Sequence, residues 1–280
     1  MDRQRQTGME AARIFISLPF RTDGLEKEHP ECLKSFDSRH INRFLSALHQ
    51  EIAAASEECN DLSVREIVMG NGSASHLAAD DLTDIIRRIQ KHFRVDPQRT
   101  IRLTMTPSGF DFYKLAAVRQ MRNADICFEL PDLTDEGLRE AGYHCTGKQA
   151  LGVLETCFQN AYRDYAVFLT SKNMEAESAE QVLKKILAAH PKEIILSPDA
   201  QPPFVNTAAC VLAEEGWVRS GLHWVRDRVL PPSRCTVQIG CGPGAISVFD
   251  GMPVRTTTDF DFYCDHADDY EALATHAKET

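Results

Sequence analysis

From residue 14 to residue 196 the chain alternates short β-rich apolar runs with longer stretches whose apolar residues recur every three or four positions. Ile14, Phe15, Ile16, Ser17 and Leu18 form the first run, which predicts a buried strand closed by Pro19. Ser38 then offers an N-cap for a helix with Ile41, Phe44, Leu45, Leu48 and Ile52 on one face. A second strand is predicted over 66–69, ending at Gly70, Asn71 and Gly72, and a second helix carries Leu82, Ile85, Ile86, Ile89 and Phe93. A third strand over 100–104 stops near Pro107. The pattern continues with a helix over 112–121, a strand over 124–130 and helices over 135–141 and 148–162. Strands over 165–170 and 193–196 flank a helix bearing Val182, Leu183, Ile186 and Leu187.

Six strand–helix units in a row imply a parallel sheet with crossover helices. A closed barrel of this kind needs eight units, so the expectation is α/β: a partial (β/α)6 barrel with parallel strands and a small C-terminal extension. The composition shifts at residues 197–203, where Pro198, Pro202 and Pro203 gather. The expected organisation is a flexible N-terminus over 1–12, the partial barrel over 13–200, and an extension over 201–280 that completes the barrel side. Within the extension we expect a helix over 207–215 and strand-like segments over 218–225 and 236–239. A glycine-rich turn follows, and the acidic tail after Phe262 is expected to fray beyond one short helix.

Composition narrows the function classes. Hydrophobic residues make up 43% of the chain, enough for a large core. The formal net charge of −10 argues against a nucleic-acid partner. No apolar run is long enough for membrane insertion, and no signal-peptide pattern opens the chain, so a cytoplasmic protein is expected. The nine cysteines include no CxxC pair and read as small buried hydrophobes. The ten histidines have no dense metal-ligand spacing. Asp259, Asp261, Asp265, Asp268 and Asp269 fit no EF-hand template and read as a solvated surface. Trp217, His223 and Trp224 suit a porphyrin face in principle, but a packed core edge accounts for them better.

Five segments, in order, carry a resemblance. The first strand runs into Leu18, Pro19 and Phe20; residues 69–75 read MGNGSAS; residues 104–108 read TMTPS; residues 129–138 read ELPDLTDEGL; and residues 240–247 read GCGPGAIS. Over roughly residues 13–265 this resembles the oxygen-independent coproporphyrinogen oxidase and haem-chaperone branch of the radical SAM superfamily, without that family's separate C-terminal domain. The resemblance implies a CxxxCxxC loop after the first strand, but its three cysteine positions fall on Arg21, Leu25 and Glu28. A [4Fe–4S] cluster that leaves one iron for S-adenosylmethionine needs three thiolates. Arginine and leucine offer no ligand atom, glutamate is a hard donor for a soft cluster, and Cys32 and His29 together are too few.

The cofactor pocket that the resemblance implies is altered too. Asn71 stands at the middle glycine of the loop, Thr104 at an acidic strand end, and Pro131 and Asp132 at a glutamine and a serine. No resident cofactor is therefore expected, with S-adenosylmethionine and haem left as the two ligands that the resemblance keeps open. In a barrel, ligands sit at the C-terminal strand ends. That gives a candidate ligand-binding mouth of Arg21, Gly70, Asn71, Gly72, Ser73, Thr104, Thr106 and Asp132, with Phe20 and Asp199 beside it. No catalytic residue and no metal ligand is assigned. Arg21 would make the mouth cationic and suited to a small anionic ligand. The leading expectation is a non-catalytic pseudoenzyme, a binding or partner protein connected with porphyrin or haem through the resemblance. The alternatives are an enzyme of another class using Arg21 and Asp132, and a subunit stabilising an intact radical SAM paralogue.

Overall fold

The computed structural model describes residues 9–21, 34–35, 37–70, 74–170, 176–226 and 235–279. Strand β1 (Glu10–Ile16) leads into a small separate ladder of two parallel strands, β2 (Phe20–Arg21) and β3 (Lys34–Ser35). Helix α1 (Ser38–Glu58) and strand β4 (Leu62–Met69) follow. Asp37 caps α1, its carboxylate accepting the Arg39 and His40 N–H groups at 3.0 Å; Ser38, the expected cap, is already in the first turn.

The next units are α2 (Ala79–His92), β5 (Val95–Met105), α3 (Phe112–Gln120) and β6 (Ala124–Leu130). Then come α4 (Asp135–Glu140), α5 (Gly147–Gln159), β7 (Tyr165–Leu169), α6 (Ala176–Ala188) and β8 (Glu193–Leu196). Strands β1, β4, β5, β6, β7 and β8 lie side by side in chain order, every neighbour parallel, as the six units require. Ile14, Ile67, Ile101, Leu103, Ile126, Val167 and Ile194 point from the strands into the core, which also takes Phe44, Leu48 and Ile52 of α1 and Leu82, Ile85 and Ile89 of α2. Burying each such side chain stabilises the layer by about 1.5–3 kcal/mol before entropy is charged.

Beyond residue 200 the sheet grows at both edges. Helix α7 (Pro202–Glu214) starts earlier than expected: Pro202 and Pro203 occupy its first turn, where a missing N–H costs nothing, so they open a helix rather than a linker. Residues 218–225 are two strands, β9 (Val218–Ser220) and β10 (His223–Val225), turned at Gly221 with φ +66°. They add to β8 antiparallel. At the other edge β11 (Val237–Cys241) pairs parallel with β1, followed by the antiparallel β12 (Ile246–Phe249) and β13 (Met252–Arg255). The sheet thus has eleven strands and is not closed.

The tail does not fray as expected. Helices α8 (Phe260–Asp265) and α9 (Tyr270–Glu279) dock on the body because Phe260, Tyr263, Ala267 and Leu273 are buried. Asp259 caps α8, Asp261 and Asp265 pair with Arg43 of α1, and Asp269 accepts the Ala272 N–H at 2.9 Å, so four of the five acidic residues have structural partners. Among the described residues no helix is long and apolar enough to cross a membrane, and no cluster of His, Cys, Asp and Glu fits a metal ion.

Candidate functional site: the concave face of the open barrel

Side chains alternate between the two faces of each strand. Residues of one parity face the helices; those of the other, including Arg13, Phe15, Glu66, Val68, Arg102, Thr104, Asp125 and Glu193, face the concave side. The contacts on that side show how strongly the sheet curls. Arg102 on β5 donates to Asp125 on β6 at 2.9 and 2.7 Å, and also to Glu193 on β8 at 2.6 Å. In a flat sheet β5 and β8 would lie roughly 14 Å apart. Side chains standing upright on a concave sheet converge, so one guanidinium spans the gap.

Electrostatics reinforce this chord. Burial works against the Arg102 charge, but the Asp125 bond and the Asp125 and Glu193 charges outweigh it and raise its pKa further. Burial likewise opposes ionisation of Glu193, yet the His223 bond and the Arg102 charge hold its pKa below the ordinary value. His223 of β10 meets Glu193 through Nδ1. The expected packing of the two tryptophans holds: Trp217 and Trp224 are buried.

The β1–β11 side is arranged differently. Arg13 donates Nε at 2.7 Å and Nη2 at 2.6 Å to one oxygen, Oε2, of Glu66. Beside it lies a cavity of about 400 Å³ lined by Arg13, Phe15, Val68, Gln238, Ile246 and Arg255, with Ser17 and Gly244 at its border. Its shape depends on glycine. A Cβ on Gly240 would lie 2.7 Å from the Ile246 backbone, so only glycine lets β12 fold so close to β11. Gly242, at φ +100°, would place a Cβ 2.2 Å from the Ser17 carbonyl oxygen. The Gly242 N–H donates to the buried Glu51 carboxylate at 2.7 Å, and the Tyr263 hydroxyl donates to the same oxygen at 2.7 Å. Burial lifts Glu51 to about 7, against those two bonds.

The expected mouth residues fall into different environments. Gly70 packs against the Phe15 ring, which a Cβ would meet at 2.5 Å, and its N–H donates to the Ile16 carbonyl. Thr104 is half-buried on the concave side of β5. Thr106 is fully buried, its hydroxyl 3.0 Å from that of Ser75 and 3.2 Å from that of Ser108. Asp132 is committed to its own turn: it accepts the Leu133 N–H at 2.6 Å, the Thr134 N–H at 3.0 Å and the Thr134 hydroxyl at 2.8 Å. Phe20 is core, edge-on to Phe44 and Phe260. Asp199 is exposed, and its backbone N–H donates to the Ser197 hydroxyl. Arg21 ends β2; Asn71, Gly72 and Ser73, like Leu25 and Glu28, lie outside the described residues.

The concave charges Arg13, Arg102, Asp125, Glu193 and Arg255 were not among the expected site residues. Their signal was present: a charged residue at alternate positions inside an otherwise apolar strand must face away from the helix layer.

A curled parallel sheet with helices outside and an open concave face is a radical SAM-like architecture. Among solved structures the chain is similar to coproporphyrinogen III oxidase (HemN) from Escherichia coli, described as a radical SAM enzyme: TM-score 0.79, 15% identity, 97% of this chain and 72% of that one. It is also similar to SuiB of Streptococcus suis, with TM-score 0.50, 6% identity, and 74% and 48% of the two chains covered. At these identities the likeness is one of fold. No protein-family model matches the chain, and no curated protein matches its sequence.

Proposed function

We propose that this chain is a non-catalytic protein on a radical SAM-like fold: a binding or partner protein that has lost the iron–sulfur cluster. The observation that carries the reading is the donor set after β1. Arg21, Leu25 and Glu28 stand at the three ligand positions, and only a thiolate set holds a cubane with one iron free. These residues do not fit the group.

The surroundings support the same reading. Thr104 supplies no charge at its strand end, and both Asp132 oxygens are occupied by the residues that follow it. The Asp132 bonds also weigh against an enzyme using that carboxylate as acid or base, because a proton on it would break contacts that hold the turn. The connection to porphyrin or haem rests on the fold likeness to coproporphyrinogen III oxidase. For the partner role, Phe112 and Tyr113 are exposed side by side at the start of α3.

The test has two arms. Incubation with S-adenosylmethionine and dithionite under anaerobic conditions is expected to release no deoxyadenosine; release at a catalytic rate would overturn the proposal. Titration with haem is expected to shift the Soret band saturably. A linear, unshifted response would remove the porphyrin connection while leaving the non-catalytic reading intact.

A further inference from the structure

The geometry points to a second role for the concave face: the β1–β11 half is a binding pocket for a small organic anion, a carboxylate or sulfonate on an apolar body. The chain carries a net charge of −10, so a concavity lined by two arginines and no carboxylate stands apart from the rest of the molecule. Arg255 on β13 makes no ion pair among the described residues. Arg13 spends Nε and Nη2 on Glu66 and keeps Nη1 without a partner there. Gln238 ties its amide nitrogen to the Ile246 carbonyl at 2.8 Å, which leaves its side-chain oxygen as the acceptor at the wall.

The floor has the other half of the chemistry. Phe15, Val68 and Ile246 present an aromatic ring and two branched aliphatic chains. A volume of about 400 Å³ suits a molecule of one or two rings. Inorganic phosphate or a nucleoside polyphosphate would leave that floor uncovered, whereas an aryl or alkyl monoanion covers it and meets the guanidinium groups with its head. On the opposite half of the face Arg102 is already paired with Asp125 and Glu193, whereas the arginines on this side have donors to spare. None of these residues belongs to the loop that would hold a cluster; a cluster found there would sink the proposed function and leave this inference standing.

The probe pair is anilinonaphthalene sulfonate and its uncharged analogue, phenylnaphthylamine, both followed by fluorescence on the full chain. Arg255→Gln is expected to weaken the sulfonate about tenfold, the loss of one charge-assisted bond, and to leave the amine within about twofold. Glu66→Gln, which frees Arg13 and removes a nearby negative charge, is expected to tighten the sulfonate about threefold. Val68→Trp fills the floor and is expected to weaken both probes. Arg255 is exposed on an edge strand, so its variant decides the matter even if the tryptophan variant does not fold. Equal losses for the two probes in Arg255→Gln, an unchanged sulfonate affinity in it, weaker sulfonate binding in Glu66→Gln, or no saturable binding at all would each overturn the inference.

Discussion

The two halves of the concave face solve the same problem in opposite ways. An open sheet leaves inward side chains with no facing strands. On the β5–β8 side the gap is bridged by charge: Arg102 reaches Asp125 and Glu193, and His223 completes the row. On the β1–β11 side it is covered by backbone: Gly240 and Gly242 let the β12 turn lie close, and a cavity with two arginines remains. In the first half Arg102 has a carboxylate partner on each side. The second has charge left over, and that surplus marks it as the half able to take a ligand.

The largest effect that would break this contrast is Arg102→Leu. It leaves two partly or fully buried carboxylates without their cation and should cost about 3–5 kcal/mol in urea unfolding. A loss under about 1 kcal/mol would mean the chord does not hold the sheet. Because the Glu193 pKa is depressed, its contribution is present above the ordinary carboxylate pKa and is lost as pH falls through the folded value. The Arg102→Leu penalty should therefore shrink in acid.

On the backbone side, Gly242→Ala forces a side chain into a left-handed residue and against the Ser17 carbonyl. We expect a loss of roughly 2–4 kcal/mol by thermal or urea unfolding, and a loss of anionic-probe binding in parallel. Unchanged stability would show that the turn can move without consequence.

Glu51 sharpens the comparison through pH. Its folded pKa of about 7 lies above the ordinary 4.5, so its favourable contribution is full below 4.5 and disappears as pH rises through 7. Glu51→Gln keeps an acceptor for Gly242 and Tyr263 but does not titrate. Relative to that variant, the unmodified chain should lose roughly 2–3 kcal/mol between pH 4.5 and pH 8, measured by urea unfolding across the range. Parallel pH profiles would contradict the buried ionisable role.

The smallest effect is expected at the mouth. Asp132→Ala removes the acceptor for two N–H groups and should cost about 1 kcal/mol, with no change in sulfonate binding.

Much of this architecture is legible from periodicity. Apolar residues such as Leu82, Ile85, Ile86 and Ile89 place a helix wherever they recur at that spacing, and the six parallel strands follow from their alternation with helices. The failures have local causes. Pro202 and Pro203 look like a linker until the first turn of a helix is seen to tolerate them. The acidic tail looks solvated because its few buried residues, Phe260, Tyr263 and Leu273, are spread among carboxylates. The site was the least legible part. Expectation settled on the strand ends, where Thr106 and Asp132 prove to be bound into the turns. The paired charges on the concave face sit mid-strand, and their pairing depends on sheet curvature, which no local pattern encodes. Arg102 and Glu193 are 91 residues apart and meet only because β5 and β8 curl toward each other.

The most direct measurement is anaerobic reconstitution of the full chain with ferrous iron and sulfide, followed by desalting, iron and sulfide quantification, and electron paramagnetic resonance of the reduced sample. The expected result is no stoichiometric iron and no reduced-cubane signal, the consequence of Arg21, Leu25 and Glu28 standing where thiolates are required. A full cubane per chain, with a signal perturbed by S-adenosylmethionine, would contradict it.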